Sequence, residues 1–133
     1  MDAMDISASA LTAERIRMNL ISSNLANANS TRTAEGGPYR RKDAVFSAKM
    51  DEANAKMGGG VEVTNIMEDQ APPRLQYEPS HPDANAKGYV AYPNVNVVEE
   101  MADMISATRA YEANVTAAKA SMDMQMKALQ IGK

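Results

Sequence analysis

Cysteine and tryptophan are absent from the chain, and phenylalanine and histidine occur once each. Without cysteine there can be no disulfide and no thiolate metal site. Small secreted domains often depend on such cross-links, so a loop-rich extracellular fold of that kind is disfavoured. Aromatic residues make up only 5% of the chain, so methionine and alanine must carry much of the apolar content. Methionine is flexible and fills irregular contacts, which suits helix-to-helix surfaces better than one rigid core.

Other absences remove whole function classes. The net charge is −3 over 133 residues, and no segment is basic enough for a nucleic-acid footprint. Arg40, Arg41 and Lys42 form the only cationic cluster. It reads as a solvated strand edge or a patch that pairs with a partner. No apolar run reaches membrane-spanning length, because Glu14, Arg15 and Arg17 interrupt the first candidate helix, so no direct membrane insertion is expected. The N-terminus does not read as a cleaved signal, since Asp2 and Asp5 stand where positive charge belongs. The chain is therefore expected to be cytosolic, or to leave the cell by a route that needs no such signal.

Catalytic chemistry is missing as well. His81 sits in the turn-like run Pro79-Ser80-His81-Pro82-Asp83 and reads as a solvated loop residue. No cluster of His, Asp and Glu has metal-ligand spacing. Gly58-Gly59-Gly60 precedes a strand and lacks a following Lys-Ser or Lys-Thr, so it is no phosphate loop. Glu99 and Glu100 are adjacent on a helix and point in different directions, so they read as helix-start residues rather than a catalytic pair. The sequence thus predicts no catalytic residue, no cofactor and no metal, and the chain is not read as an enzyme.

What the chain does contain is a long amphipathic segment at each end. Residues 3–29 predict a helix with an apolar repeat of seven at Met4, Leu11, Met18 and Leu25, joined by Ala8 and Ile21. A second row, Ile6, Ala13 and Leu20, lies on nearly the opposite side, so neighbours are expected on two sides. Asn24, Asn27, Asn29, Ser30 and Thr31 then favour the helix end. Residues 97–130 predict a second helix with the repeat Met101, Thr108, Val115, Met122 and Leu129, joined by Met104, Tyr111, Ala118 and Met126. Val98 and Ile105 are further packing candidates on this helix. Across the wheel runs a small-residue ridge that includes Ala102, Ala110, Ala113, Ala117 and Ala120. Asn96 followed by Glu99 is a capping-box-like start. A strict repeat of seven keeps one seam facing a partner helix.

The middle is different. Gly36-Gly37-Pro38, the glycine triplet, Pro72-Pro73, Pro79, Pro82, Gly88 and Pro93 punctuate it. Tyr39–Phe46, Val61–Ile66, Leu75–Glu78 and Tyr89–Tyr92 are strand candidates. Residues 47–57 read as a helical turn or a flexible loop. The expected fold class is α+β: long terminal helices pairing as an antiparallel coiled coil, with a short hairpin-rich middle. A discontinuous helical core from 1–31 and 97–133 would flank an extended segment over 32–96. One contact between Ala/Met seams buries modest area, so such a hairpin of helices is marginal alone. Its termini are expected to be mobile in the free chain and to order on assembly.

Two stretches carry a specific likeness. Leu11-Thr12-Ala13-Glu14-Arg15-Ile16-Arg17-Met18-Asn19-Leu20-Ile21-Ser22-Ser23-Asn24-Leu25-Ala26-Asn27-Ala28-Asn29-Ser30-Thr31 resembles the N-terminal signature of bacterial flagellar rod and hook proteins. The likeness continues through Glu35-Gly36-Gly37-Pro38-Tyr39-Arg40-Arg41-Lys42. Tyr92-Pro93-Asn94-Val95-Asn96-Val97-Val98-Glu99-Glu100-Met101, with Arg109-Ala110-Tyr111-Glu112-Ala113-Asn114-Val115, resembles the C-terminal signature of the same family. The signature residues are Asn19, Ser23, Asn24, Ala26, Asn27, Asn29, Tyr39, Arg40, Arg41, Pro93, Asn94, Val95, Asn96, Glu99 and Glu100. The resemblance implies export through the flagellar type III apparatus without a cleaved signal. It implies polymerisation into the proximal part of the periplasmic rod, a torque-transmitting drive shaft with an export channel. The implied partners are other rod subunits, further copies of this chain, the hook–basal-body complex and the export gate. The rival reading is a soluble coiled-coil adaptor or export chaperone, which would form a discrete dimer and never a tube.

Overall fold

The computed structural model describes residues 3–51 and 56–132. In chain order the elements are α1 (Ala3–Ala26), β1 (Lys42–Asp51), β2 (Lys56–Glu68), β3 (Arg74–Tyr77), β4 (Tyr89–Tyr92) and α2 (Val97–Ile131). The fold is α+β, with the two terminal helices packed together as an antiparallel pair. The direction is fixed by contact: Asn24, near the end of α1, bonds Glu100, near the start of α2.

α2 begins where the sequence supplies a cap. The Asn96 side chain accepts hydrogen bonds from the Val98 and Glu99 N–H groups at 3.1 and 3.2 Å, satisfying two donors that a helix start leaves open. Glu99 and Glu100 then occupy the first turn, where the helix dipole favours negative charge. α1 ends as its Asn-rich tail turns the backbone, with Asn27 N–H and the Asn27 side chain both donating to the Ser23 carbonyl.

β1 and β2 pair antiparallel, with register breaks between Val45 and Phe46 and between Ala48 and Met50. β3 and β4 form a second, shorter antiparallel pair. The stretch 47–57, read from sequence as a helical turn or loop, is strand on both described sides. Residues 47–51 belong to β1 and residues 56–57 to β2, while residues 52–55 lie outside the described residues. The long hairpin rests on α1, and that support lets polar residues continue the ladder where local propensity favoured a loop. The strand expected from Tyr39 begins instead at Lys42.

α1 therefore lies between two neighbours, α2 and the hairpin, and meets them through Ser7, Ala13, Ile21 and Asn24 rather than through its full apolar rows. Ser9, Ala13 and Ile16 share a shallow cleft with Val61, Glu62 and Val63 of β2. Gly60, the last of the glycine triplet, makes that approach possible. Gly60 has φ +107°, and a Cβ on it would overlap the Ser9 hydroxyl. That hydroxyl accepts the Val61 N–H at 3.0 Å and donates to the Ile6 carbonyl at 2.7 Å. The buried apolar core is thin: among the described residues it holds Ala13, Ile21, Ala28, Val90 and Ala107.

Candidate assembly surface

The face that α2 turns toward α1 is small and polar. Its buried residues are Glu100, Ala107 and Ser121, and Asn114, half-buried, completes a repeat of seven. α1 answers with buried Ser7, Ile21 and Asn24. The apolar repeats lie one step round from this seam. Met4, Leu11, Met18 and Leu25 are all half-buried at its edge, as are Leu20, Met104, Tyr111 and Val115. Met101 is 55% exposed, Ile105 57%, Val98 75% and Leu129 71%. Ile6 and Met122 are also exposed, as are Ala113 and Ala117. Of the packing residues read from sequence, only Ala13 and Ile21 are fully buried.

Rotation about each axis, at about 100° per residue, turns both apolar rows in the same sense from the residues that face the partner helix. In an antiparallel pair, equal senses emerge on one side. Met4, Leu11, Met18 and Leu25 of α1 thus flank Met101, Thr108, Val115 and Met122 of α2 on a common strip, opposite the side covered by the hairpin. The helices also differ in length. With 35 and 24 residues, at 1.5 Å per residue, α2 is longer by about 16 Å. Steps of seven from the Asn24–Glu100 contact bring Ser121 level with Ala3. Residues 122–131 run past that point carrying exposed Met122, Met124, Met126, Leu129 and Ile131.

The surface total agrees. The chain exposes 9106 Å², whereas a compact monomer of its 14.3 kDa is expected to expose about 6,800 Å². The excess, about 2,300 Å², exceeds what one protein contributes to a standard interface, about 800 Å². Among the described residues no group of His, Cys, Asp and Glu could hold a metal, and no helix is long and apolar enough to cross a membrane. His81 is half-buried in its turn and accepts the Asp83 N–H at 3.0 Å.

At the other end of the helix pair, the signature residues Asn24, Tyr39, Arg41 and Glu100 converge. Asn24 is fully buried. Its side chain accepts the Lys42 N–H and donates to the Lys42 carbonyl, both at 2.9 Å, pairing the first residue of β1 as a neighbouring strand would. It also accepts the Tyr39 hydroxyl at 2.7 Å and donates to Glu100 at 3.4 Å. Glu100 is 1% exposed and is paired with the Arg41 Nε. Arg41 also reaches Asp43 at 3.4 Å and Asp103 at 3.9 Å. Burial pulls the Arg41 guanidinium toward lower pKa, but its hydrogen bond to Glu100 and the surrounding carboxylates outweigh this and raise it above its ordinary value. Arg41 is thus neither a solvated edge residue nor free for a partner, and Glu100 does more than start a helix. Ser23 lies 3.2 Å from the Tyr39 hydroxyl. Asn27 and Val95 are half-buried and Pro93 is buried, while Asn19, Ala26, Asn29, Arg40, Asn94, Asn96 and Glu99 face outward. Sequence reasoning missed Ser7, Ala107, Asn114 and Ser121, whose repeat of small and polar residues carries no apolar signal.

Comparison with known proteins places this architecture. The family model "Flagella basal body rod protein" matches residues 4–32. The model "Flagellar basal body rod FlgEFG protein C-terminal" matches residues 86–131. The chain is 48% identical to the flagellar basal-body rod protein FlgC of Bacillus subtilis, over 98% of this chain and 97% of that one. It is 43% identical to FlgC of Borreliella burgdorferi, over 97% and 95%, and 44% identical to FlgC of Salmonella typhimurium, over 100% and 98%. The chain belongs to the FlgC family of flagellar basal-body rod proteins. It is a structural subunit of the basal-body rod rather than an enzyme, and it assembles with other rod components of the flagellar basal body.

Proposed function

We propose that the chain polymerises through the open sides of its helix pair into the proximal rod, the drive shaft that crosses the periplasm and encloses the export channel. The observation that carries this reading is the apolar surface left uncovered on α2, from Val98, Met101 and Ile105 at its start to Leu129 and Ile131 at its end. A helix pair needing no partner would place such residues in its own seam. Here the seam is small and polar, and the large side chains remain for neighbours.

In this reading residues 1–31 and 97–133 form a discontinuous helical core, and residues 32–96 face outward or bridge adjacent subunits. The contacting chains are further copies of this one and other rod subunits, with the hook–basal-body complex and the export gate at the ends. The chain reaches the rod by type III export. The final turns of α2, rich in exposed apolar side chains, fray in the free protein and order when a subunit covers them.

Leu129→Asp tests the reading. Leu129 is already in water in the free chain, so the melting temperature should stay unchanged. An uncompensated carboxylate in a closed subunit contact should abolish recovery of the chain in purified basal bodies. Normal incorporation would overturn the proposal. A discrete soluble dimer at rising concentration, with no tube, would favour the adaptor reading.

A further inference from the structure

The polar node at the closed end of the helix pair has a mechanical consequence. Three elements distant in sequence meet there: the end of α1 through Asn24, the start of β1 through Lys42 and the preceding Arg41, and the start of α2 through Glu100 and Asp103. Both covalent crossings between the helices and the middle of the chain, residues 27–41 and 93–96, leave from this same end. A twist applied to the helix pair reaches the middle through these crossings, through the node and through the hairpin resting on α1.

The alternative path is weak. The buried apolar residues along the pair are mostly alanines, and apolar contact is non-directional, so it resists separation better than sliding. Hydrogen bonds fall off steeply with misalignment. Asn24 uses both ends of its amide on one backbone unit of Lys42, which fixes the angle between α1 and β1. The planar Arg41 fork reaches Glu100 and Asp103 of α2, which fixes the angle between α2 and β1. Among the described residues no buried side-chain polar atom lacks a hydrogen-bond partner, so the node has no slack to take up.

We propose that the Asn24–Arg41–Glu100 node is a torsional clamp, the point through which twisting load passes between the helix pair and the outer segment. This rests on the chain standing in the rod. The node's residues act as positioning residues, and the clamp makes a demand that a merely structural role does not: loosening it should matter in proportion to load.

The experiment uses cells in which this chain is the sole copy, carrying Arg41→Lys, Glu100→Gln or Asp43→Asn. Basal bodies are counted, and swimming speed is measured in dilute and viscous medium. Lysine keeps the charge but loses the fork, so Arg41→Lys should give parental basal-body numbers and dilute-medium speed, with a loss of speed in viscous medium about twofold steeper than the parent's. Glu100→Gln should behave likewise or more severely. Asp43→Asn, which alters a carboxylate that is itself 61% exposed, should stay close to the parent. Parallel loss of speed with viscosity in parent and variants, at normal basal-body counts, overturns the clamp and leaves rod membership intact. Failure of both Arg41→Lys and Glu100→Gln to form rods also overturns it, since the node would then serve assembly. Absence of the parental chain from basal bodies instead refutes the rod reading itself.

Discussion

Replacing Asn24 with alanine tests the fold at its most fully bonded polar residue. Asn24 is fully buried and makes three hydrogen bonds of 2.7–2.9 Å, to Tyr39, the Lys42 N–H and the Lys42 carbonyl. At about 0.5–1.5 kcal/mol net each, their loss costs about 2–4 kcal/mol. Leaving half-buried Lys42 backbone groups without partners adds about 1 kcal/mol or more. A total of about 3–5 kcal/mol is a large share of the roughly 5–15 kcal/mol that holds a domain folded. At roughly 3–5 °C per kcal/mol for a chain of this size, melting followed by far-UV circular dichroism should drop by about 10–20 °C. Asn24→Asp should fare no better, because it loses both amide donor bonds and sets a second carboxylate beside buried Glu100. Asn19→Ala, on the outward face, should stay within about 0.5 kcal/mol of the parent. If Asn24→Ala melts no lower than Asn19→Ala, the node does not organise the fold and the reasoning fails.

Gly60→Ala should destabilise by roughly 1–3 kcal/mol, since the new Cβ meets Ser9 and the backbone sits at φ +107°. Gly36→Ala has no atom within 4 Å of its new Cβ and should cost less. Denaturant unfolding compares the two, and faster exchange of the Val61 amide would locate the damage. Ala113→Pro removes a helix hydrogen bond in α2 at about 3 kcal/mol and should abolish motility, so normal swimming would count against the rod reading. Asp83 accepts from the Thr31 hydroxyl at 2.8 Å and pairs with Arg32. The Thr31 bond first, then Arg32, hold its carboxyl below its ordinary pKa. Because the folded value lies under the unfolded one, this tie is fully present above the ordinary carboxylate range, about pH 4, and is lost as pH falls through the folded value. Side-chain NMR signals of Thr31 should hold steady from neutral pH down to that range and move only below it, and Asp83→Asn should remove the transition.

How much of this could be read from the chain divides along a physical line. Helix limits, the Asn96 cap and the strands β3 and β4 rest on local chemistry, and they stand close to where the sequence put them. The seam does not. Periodicity finds the large apolar rows, and the usual step is to face them inward, which holds when a helix pair must bury its own surface. Here small and polar residues let the helices meet, and buried Glu100 is tolerated because Arg41, fifty-nine residues away, neutralises it. No window on the sequence displays that pairing. The same displacement explains the surface: with the seam filled by Ser7, Ala107, Asn114 and Ser121, Met101 and Leu129 are left exposed among the described residues. On the proposed assembly the heptads serve contacts outside the molecule, while the polar seam serves contacts within it. On that proposal, an apolar repeat in a chain of this kind says where neighbours dock before it says how the chain folds.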